Sequence, residues 1–213
     1  MAILAPAAPA DVVGRMAFPD RLKLPLAFDP ERLAHDLAAL AGAPWTAHFV
    51  PQNFEGDWSV IPLRAAKSAF GMHPVRLIYS DPTATEFEDT PLMDACPYLR
   101  EVANAFGAEP RSVRLMRLTP GSVIKEHNDG DLSAEGGTVR IHAPITTNPD
   151  VVFELNRRRV DMAPGEAWYL RLSDPHRVAN QGTTDRVHLV IDLPMNPALQ
   201  ALLERATADP AAG

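Results

Sequence analysis

The sequence predicts a mainly β domain, a sandwich or barrel of about eight short strands supported by a helical N-terminal third. Three observations carry this. From Ser112 onward, short apolar or alternating segments recur between turn signals such as Pro120-Gly121, Gly136-Gly137, Pro164-Gly165 and Gln181-Gly182. Helical spacing of leucines is confined to a few stretches, the clearest being Leu33, Leu37 and Leu40. The 21 prolines favour strand edges and turns over long helices.

A chain of 213 residues with 46% hydrophobic and 22% charged residues is expected to bury one core, so residues 1–213 read as a single domain. A formal net charge of -7 argues against nucleic acid and anionic membrane surfaces as partners, because both need basic patches. No apolar run approaches the roughly 18 residues of a membrane helix. The N-terminus lacks the basic start and apolar stretch of a signal peptide. Cys96 is the only cysteine, so no intrachain disulfide forms, and a reducing cytoplasm is the expected compartment.

In chain order, the Ala/Pro-rich residues 1–10 are expected to be a disordered tail. Residues 11–28 are mixed and broken by Pro19 and Pro25. Asp29-Pro30 predicts an N-cap with proline in the first turn, opening a helix that Gly42 stops; His35 falls on its outer face. Residues 29–110 read as a helix-rich support and substrate-side segment. Within it, 45–50 and 58–64 are expected strands joined by a polar loop, 75–79 a further strand in an irregular stretch, and 96–106 a short helix burying Leu99, Val102 and Phe106. Strands are expected at 112–118, 123–127, 139–145, 151–155, 159–162, 167–172, 176–179 and 187–193. The hairpin between 151–155 and 159–162 turns at Asn156-Arg157-Arg158. Asn196-Pro197 caps a last helix over 196–208.

The chemistry concentrates at Lys125–Asp131. In extended backbone, residues two apart point to one side, so His127 and Asp129 converge. Imidazole and carboxylate are two of the three ligands of a 2-His-1-carboxylate facial triad, which leaves three positions open on an octahedral Fe(II). The second histidine should lie downstream on a neighbouring strand, and His176 is the candidate. Arg140-Ile-His142 and Arg186-Val-His188 each project an arginine and a histidine from one strand face. An inward arginine is costly unless paired, and its planar fork suits a carboxylate. Arg186 is therefore the expected cation for the far carboxylate of a 2-oxo diacid.

Taken together, His127-x-Asp129, Arg140-Ile-His142-Ala-Pro-Ile-Thr-Thr-Asn, Gly165-Glu-Ala-Trp-Tyr-Leu, His176-Arg-Val-Ala-Asn-Gln-Gly and Arg186-Val-His-Leu-Val-Ile-Asp192 resemble the aspartyl/asparaginyl β-hydroxylase family, whose bacterial relatives include proline hydroxylases. The resemblance covers about residues 111–194. It implies a double-stranded β-helix, the cupin-like jelly roll, as the catalytic core over 111–194. It implies Fe(II) on His127, Asp129 and His176, with 2-oxoglutarate held by Arg186 and helped by Arg140 and His142, and O2 as oxidant. The implied reaction hydroxylates an unactivated C–H and releases succinate and CO2.

Trp58, Arg64 and His188 are expected to line the substrate pocket, with Arg64 gripping a substrate carboxylate. Asn180 is a candidate to orient His176. The absence of a repeat domain for displaying a protein favours a free amino acid, a short peptide or a carrier-bound aminoacyl group as substrate. Two alternatives stay open: a jelly-roll metalloenzyme that does not use 2-oxoglutarate, whose arginine would be salt-bridged away from the metal, and a non-catalytic small-molecule-binding jelly roll.

Overall fold

The structure, a computed structural model, describes residues 17–208. The expected tail over 1–10 lies outside the described residues. Thirteen strands and four helices follow in order: β1 (Arg21–Ala27), α1 (Pro30–Ala39), β2 (Thr46–Ala47), β3 (Phe54–Glu55), β4 (Trp58–Ala66), α2 (Val75–Ile78), β5 (Phe87–Asp89), α3 (Pro97–Ala103), β6 (Ser112–Leu118), β7 (Val123–His127), β8 (Thr138–Thr146), β9 (Val151–Leu155), β10 (Arg158–Arg159), β11 (Glu166–Leu170), β12 (His176–Asn180), β13 (Arg186–Pro194) and α4 (Pro197–Ala208).

The strands form two antiparallel sheets. The larger runs β1-β11-β8-β13-β6-β4-β2, with β5 paired to β4; the smaller runs β10-β9-β12-β7-β3. Facing each other, they make the jelly roll that the motifs imply. Of the expected strand 45–50 only Thr46–Ala47 forms, and Phe54–Glu55 is a short strand inside the expected polar loop. Residues 75–78 form a helical turn rather than a strand, because Pro74 already holds the αR conformation ahead of it. The strand β1 has no counterpart in the sequence reading. It carries Pro25 and a register shift between Lys23 and Ala27, which an edge strand tolerates and a central strand does not.

Alternation along β13 explains how one strand serves two cores. Val187, Leu189, Ile191 and Leu193 belong to the core cluster on the helix side, which also holds Leu33 of α1, Leu99 and Val102 of α3, and Leu199 and Leu203 of α4. Val190 belongs to the other core, between the sheets, with Met116, Leu118, Phe153, Trp168 and Val178. Each leucine or isoleucine removed from water in these layers stabilises the fold by about 1.5–3 kcal/mol. Arg186, His188 and Asp192 share the inter-sheet face with Val190 and are buried.

The helices are tied in by local signals. Asp29 accepts from the backbone N–H of Glu31 and Arg32, as its N-cap position predicts. Buried Asp36 on α1 accepts from the N–H groups of Tyr98 and Leu99 and so caps α3 from a neighbouring helix. Asn196 caps α4 through the N–H of Leu199. The turn Asn156-Arg157 takes positive φ at both residues, the conformation of a two-residue hairpin.

Candidate metal and carboxylate site

The register of β12 on β7 sets His176 directly opposite His127. Their rings lie 4.2 Å apart, and one ligand atom each from His127, Asp129 and His176 falls within 4.8 Å of the others. The strand ends at His127, so Asp129 reaches the cluster from the following turn, where its N–H donates to Leu172 O.

Backbone contacts orient both imidazoles. His127 Nδ1 lies 2.8 Å from Lys125 O and His176 Nδ1 lies 3.0 Å from Asp174 O. A carbonyl only accepts, so each Nδ1 carries the proton and each Nε2 offers its lone pair. Burial pushes His176 down to about 4, which keeps it neutral and ready to ligate. Asn180 does not perform this orientation. Its amide donates to Leu118 O and Thr184 O and organises a turn.

Arg140 on β8 donates through Nη1 to Asp129 Oδ2 at 3.0 Å, and through Nε and Nη2 to the two oxygens of Asp192. Arg114 on β6 closes on Asp192 from the other side and also donates to Ile78 O. Burial alone would raise the Asp192 carboxyl, but Arg140 and Arg114 bring it down to about 2. Arg140, expected at a cosubstrate carboxylate, lines the cavity with Nε, Nη1 and Nη2 each donating to Asp129 or Asp192.

Arg186 differs. It is 2% exposed, and among the described residues no carboxylate reaches it. Burial alone pushes its guanidinium down to about 9. Its Nη2 donates to His188 Nδ1 at 2.9 Å. Since arginine only donates, that nitrogen accepts, and His142 Nδ1 lies 3.3 Å from it. His142 Nε2 faces no partner among the described residues.

One cavity of about 430 Å³ gathers these groups. Among the described residues, His48 Nδ1, Trp58 Nε1, Arg114 Nε, His142 Nε2 and Arg186 Nε are buried without a hydrogen-bond partner, and all five side chains line this cavity. Buried polar atoms are ordinarily paired, so the cluster marks a place shaped for a polar ligand. Trp58 stacks on His48 at 3.5 Å, and Phe49 and Tyr79 meet edge-on at the mouth.

Two expected pocket residues lie elsewhere. Arg64 pairs with Asp89 and Glu109 and donates to Pro110 O, outside this cavity. His188 is buried behind Arg186 and lines a different cavity. Sequence reasoning missed Arg114, Asp192 as its partner, and His48. Arg114 carried a usable signal: it alternates with Val113 and Leu115, as Arg140 does with Val139 and Ile141.

Fold and site together define a double-stranded β-helix with a two-histidine, one-carboxylate cluster between its sheets. Residues 32–195 match the family model described as Aspartyl/Asparaginyl beta-hydroxylase, and the chain belongs to that family. It is 29% identical over 168 residues to an L-proline cis-4-hydroxylase of Rhizobium meliloti (strain 1021), covering 78% of this chain and 57% of that protein. It is 28% identical over 167 residues to L-proline cis-3-hydroxylase 2 of a Streptomyces species, covering 77% and 56% respectively. The chain thus spans little more than half the length of these relatives. The crystal structure of an oxidoreductase of the 2OG-Fe(II) oxygenase family from Burkholderia pseudomallei superposes with a TM-score of 0.55 at 18% identity, covering 82% of this chain and 84% of that one, and shares the fold. No helix among the described residues is long and apolar enough to cross a membrane.

Proposed function

We propose that this chain is an Fe(II)- and 2-oxoglutarate-dependent dioxygenase that hydroxylates a small amino acid, a cyclic imino acid such as L-proline being the first to test. The observation that carries the reading is one cavity holding both the His127, Asp129, His176 donor set and the buried guanidinium of Arg186 with no carboxylate partner. The donor set, two imidazoles and a carboxylate on one side, fits Fe(II). Arg186 fits the distal carboxylate of 2-oxoglutarate. Its lack of an ion pair speaks against the jelly-roll metalloenzyme without that cosubstrate.

When bound, iron with 2-oxoglutarate and O2 supplies the oxidising chemistry, ending in a C–H hydroxylated and succinate and CO2 released. The chain's own residues prepare it. Lys125 O and Asp174 O hold the histidine tautomers, Arg140 holds Asp129, and Asp192 pairs with both Arg140 and Arg114, so that two carboxylates face two guanidiniums and Arg186 is left for the diacid. Arg114 Nε and Trp58 Nε1 are donors on the substrate side, suited to a substrate carboxylate, while the stacked His48 and Trp58 rings offer an apolar wall. Burial pushes His48 down to about 3, so that wall is uncharged. Support for a free amino acid comes from the proline hydroxylases among the relatives and from the modest cavity. A reducing cytoplasm suits both Fe(II) and the single buried cysteine.

The test is incubation with Fe(II), 2-oxoglutarate and O2 across free amino acids and short Asp- or Asn-containing peptides, scoring succinate and a product heavier by one oxygen. Absence of both across the panel would overturn the reading.

A further inference from the structure

A second cavity of about 440 Å³ lies behind Arg186. Arg186 and Phe153 line both cavities, so these two side chains form the partition. The guanidinium carbon stands 6.0 Å from the Phe153 ring centre, and that ring lies parallel to His176 at 6.4 Å. The second cavity has its own rim, formed by exposed Pro149, Arg159, Asp161, Ala163 and Pro164. Its walls include Val151, Val160 and Met162, and its floor is Arg186 with His188, each 2% exposed.

The charges of this cavity are unequal in one respect. Arg159 pairs with Asp161, and Glu166 with Lys23. Arg186 alone among the charged lining residues has no carboxylate, and its Nε has no partner. Because His188 Nδ1 accepts from Arg186, His188 Nε2 holds the ring proton and is a donor. A mostly apolar cavity, open to solvent at its rim, therefore ends at two buried donors, one cationic. That is chemistry for one end of a small carboxylate.

We propose that this cavity is a rear port through which 2-oxoglutarate reaches Arg186 and succinate leaves it, separate from the mouth framed by Phe49 and Tyr79. The inference rests on the 2-oxoglutarate reading above. Its consequence is that the diacid exchanges while a substrate covers the front of the metal site.

The single cysteine makes a direct test practicable. Cys96 is fully buried and burial pushes its thiol up to about 11, so an introduced surface cysteine takes a maleimide selectively. Ala163→Cys on the rear rim and Phe49→Cys on the front rim would each be labelled with fluorescein maleimide. Val160→Trp narrows the rear without a label. Each protein, loaded with redox-silent Zn(II), is saturated with radiolabelled 2-oxoglutarate, and release is timed after dilution into unlabelled diacid. The port predicts release slowed about tenfold or more by the rear label or by Val160→Trp, and less than about threefold by the front label. Release unchanged by both rear alterations, or slowed chiefly by the front label, overturns the port while leaving the cosubstrate reading intact. Failure of the unlabelled protein to hold 2-oxoglutarate overturns both.

Discussion

Arg140 Nη1 donates to Asp129 Oδ2 at 3.0 Å, while Asp129 Oδ1 lies 3.9 Å from His127 Nε2. One carboxylate oxygen is thus held by the strand beneath it and the other faces the imidazoles. Removing the holder should loosen the ligand without removing it. Arg140→Met is expected to weaken metal affinity by about tenfold to hundredfold, as partners of metal ligands ordinarily do. Titration with Zn(II) or Co(II) against a competing chelator measures it, and unchanged affinity would dismiss the role.

His127→Ala, Asp129→Ala and His176→Ala should each abolish turnover and stoichiometric metal binding. Thermal unfolding of the metal-free protein should stay near wild type for the half-buried His127 and Asp129, since Arg140 keeps Asp192, and fall somewhat for His176, which is buried beside Phe153. Wild-type product from any one of them would refute its place at the metal.

Arg186→Ala should raise the 2-oxoglutarate concentration needed for half-maximal binding by about 30-fold or more, the worth of roughly 2 kcal/mol for a charged hydrogen bond. Metal affinity should not move. Calorimetric titration of the Zn(II)-loaded variant reads both. An unchanged requirement would pass the role to another cation.

Asp192→Asn leaves Arg114 and Arg140 buried without their shared counter-charge and should cost about 3–5 kcal/mol of stability. The pH dependence has a definite sign. The Asp192 carboxyl titrates at about 2 in the fold against an ordinary 3.8. Its contribution is therefore complete above about pH 4 and is lost as pH falls through about 2. Urea midpoints measured between these limits should fall more steeply for wild type than for the asparagine variant.

Arg64→Ala tests what the structure took away from the substrate pocket. Its partners are Asp89 and Glu109, the latter's side chain 80% exposed. The Arg64 side chain is itself only 14% exposed and donates to Pro110 O and Phe87 O besides, so the variant should lose about 1–3 kcal/mol and keep wild-type KM for the amino acid. A large KM increase would bring Arg64 back to the substrate.

Much of the site was legible because its signals are local. A strand repeats its facing every second residue, so Arg140 and His142, or Arg186 and His188, announce a shared face without any knowledge of the fold. Helix caps at Asp29 and Asn196 are legible for the same reason: cap and capped N–H groups are two or three residues apart. The edge strand β1 was not, because only its position at the sheet margin makes Pro25 acceptable.

By itself the sequence determined the donor types, the inward faces and the alternation that yields two antiparallel sheets. Only the tertiary structure decided which charges neutralise one another. Arg114, Arg140, Arg64 and Arg186 are all arginines on strands, yet three find carboxylates and one does not. Their partners lie between 11 and 78 residues away. The pairing is set by register between strands distant in the chain, and a buried charge left without a partner becomes visible only once every neighbour is in place.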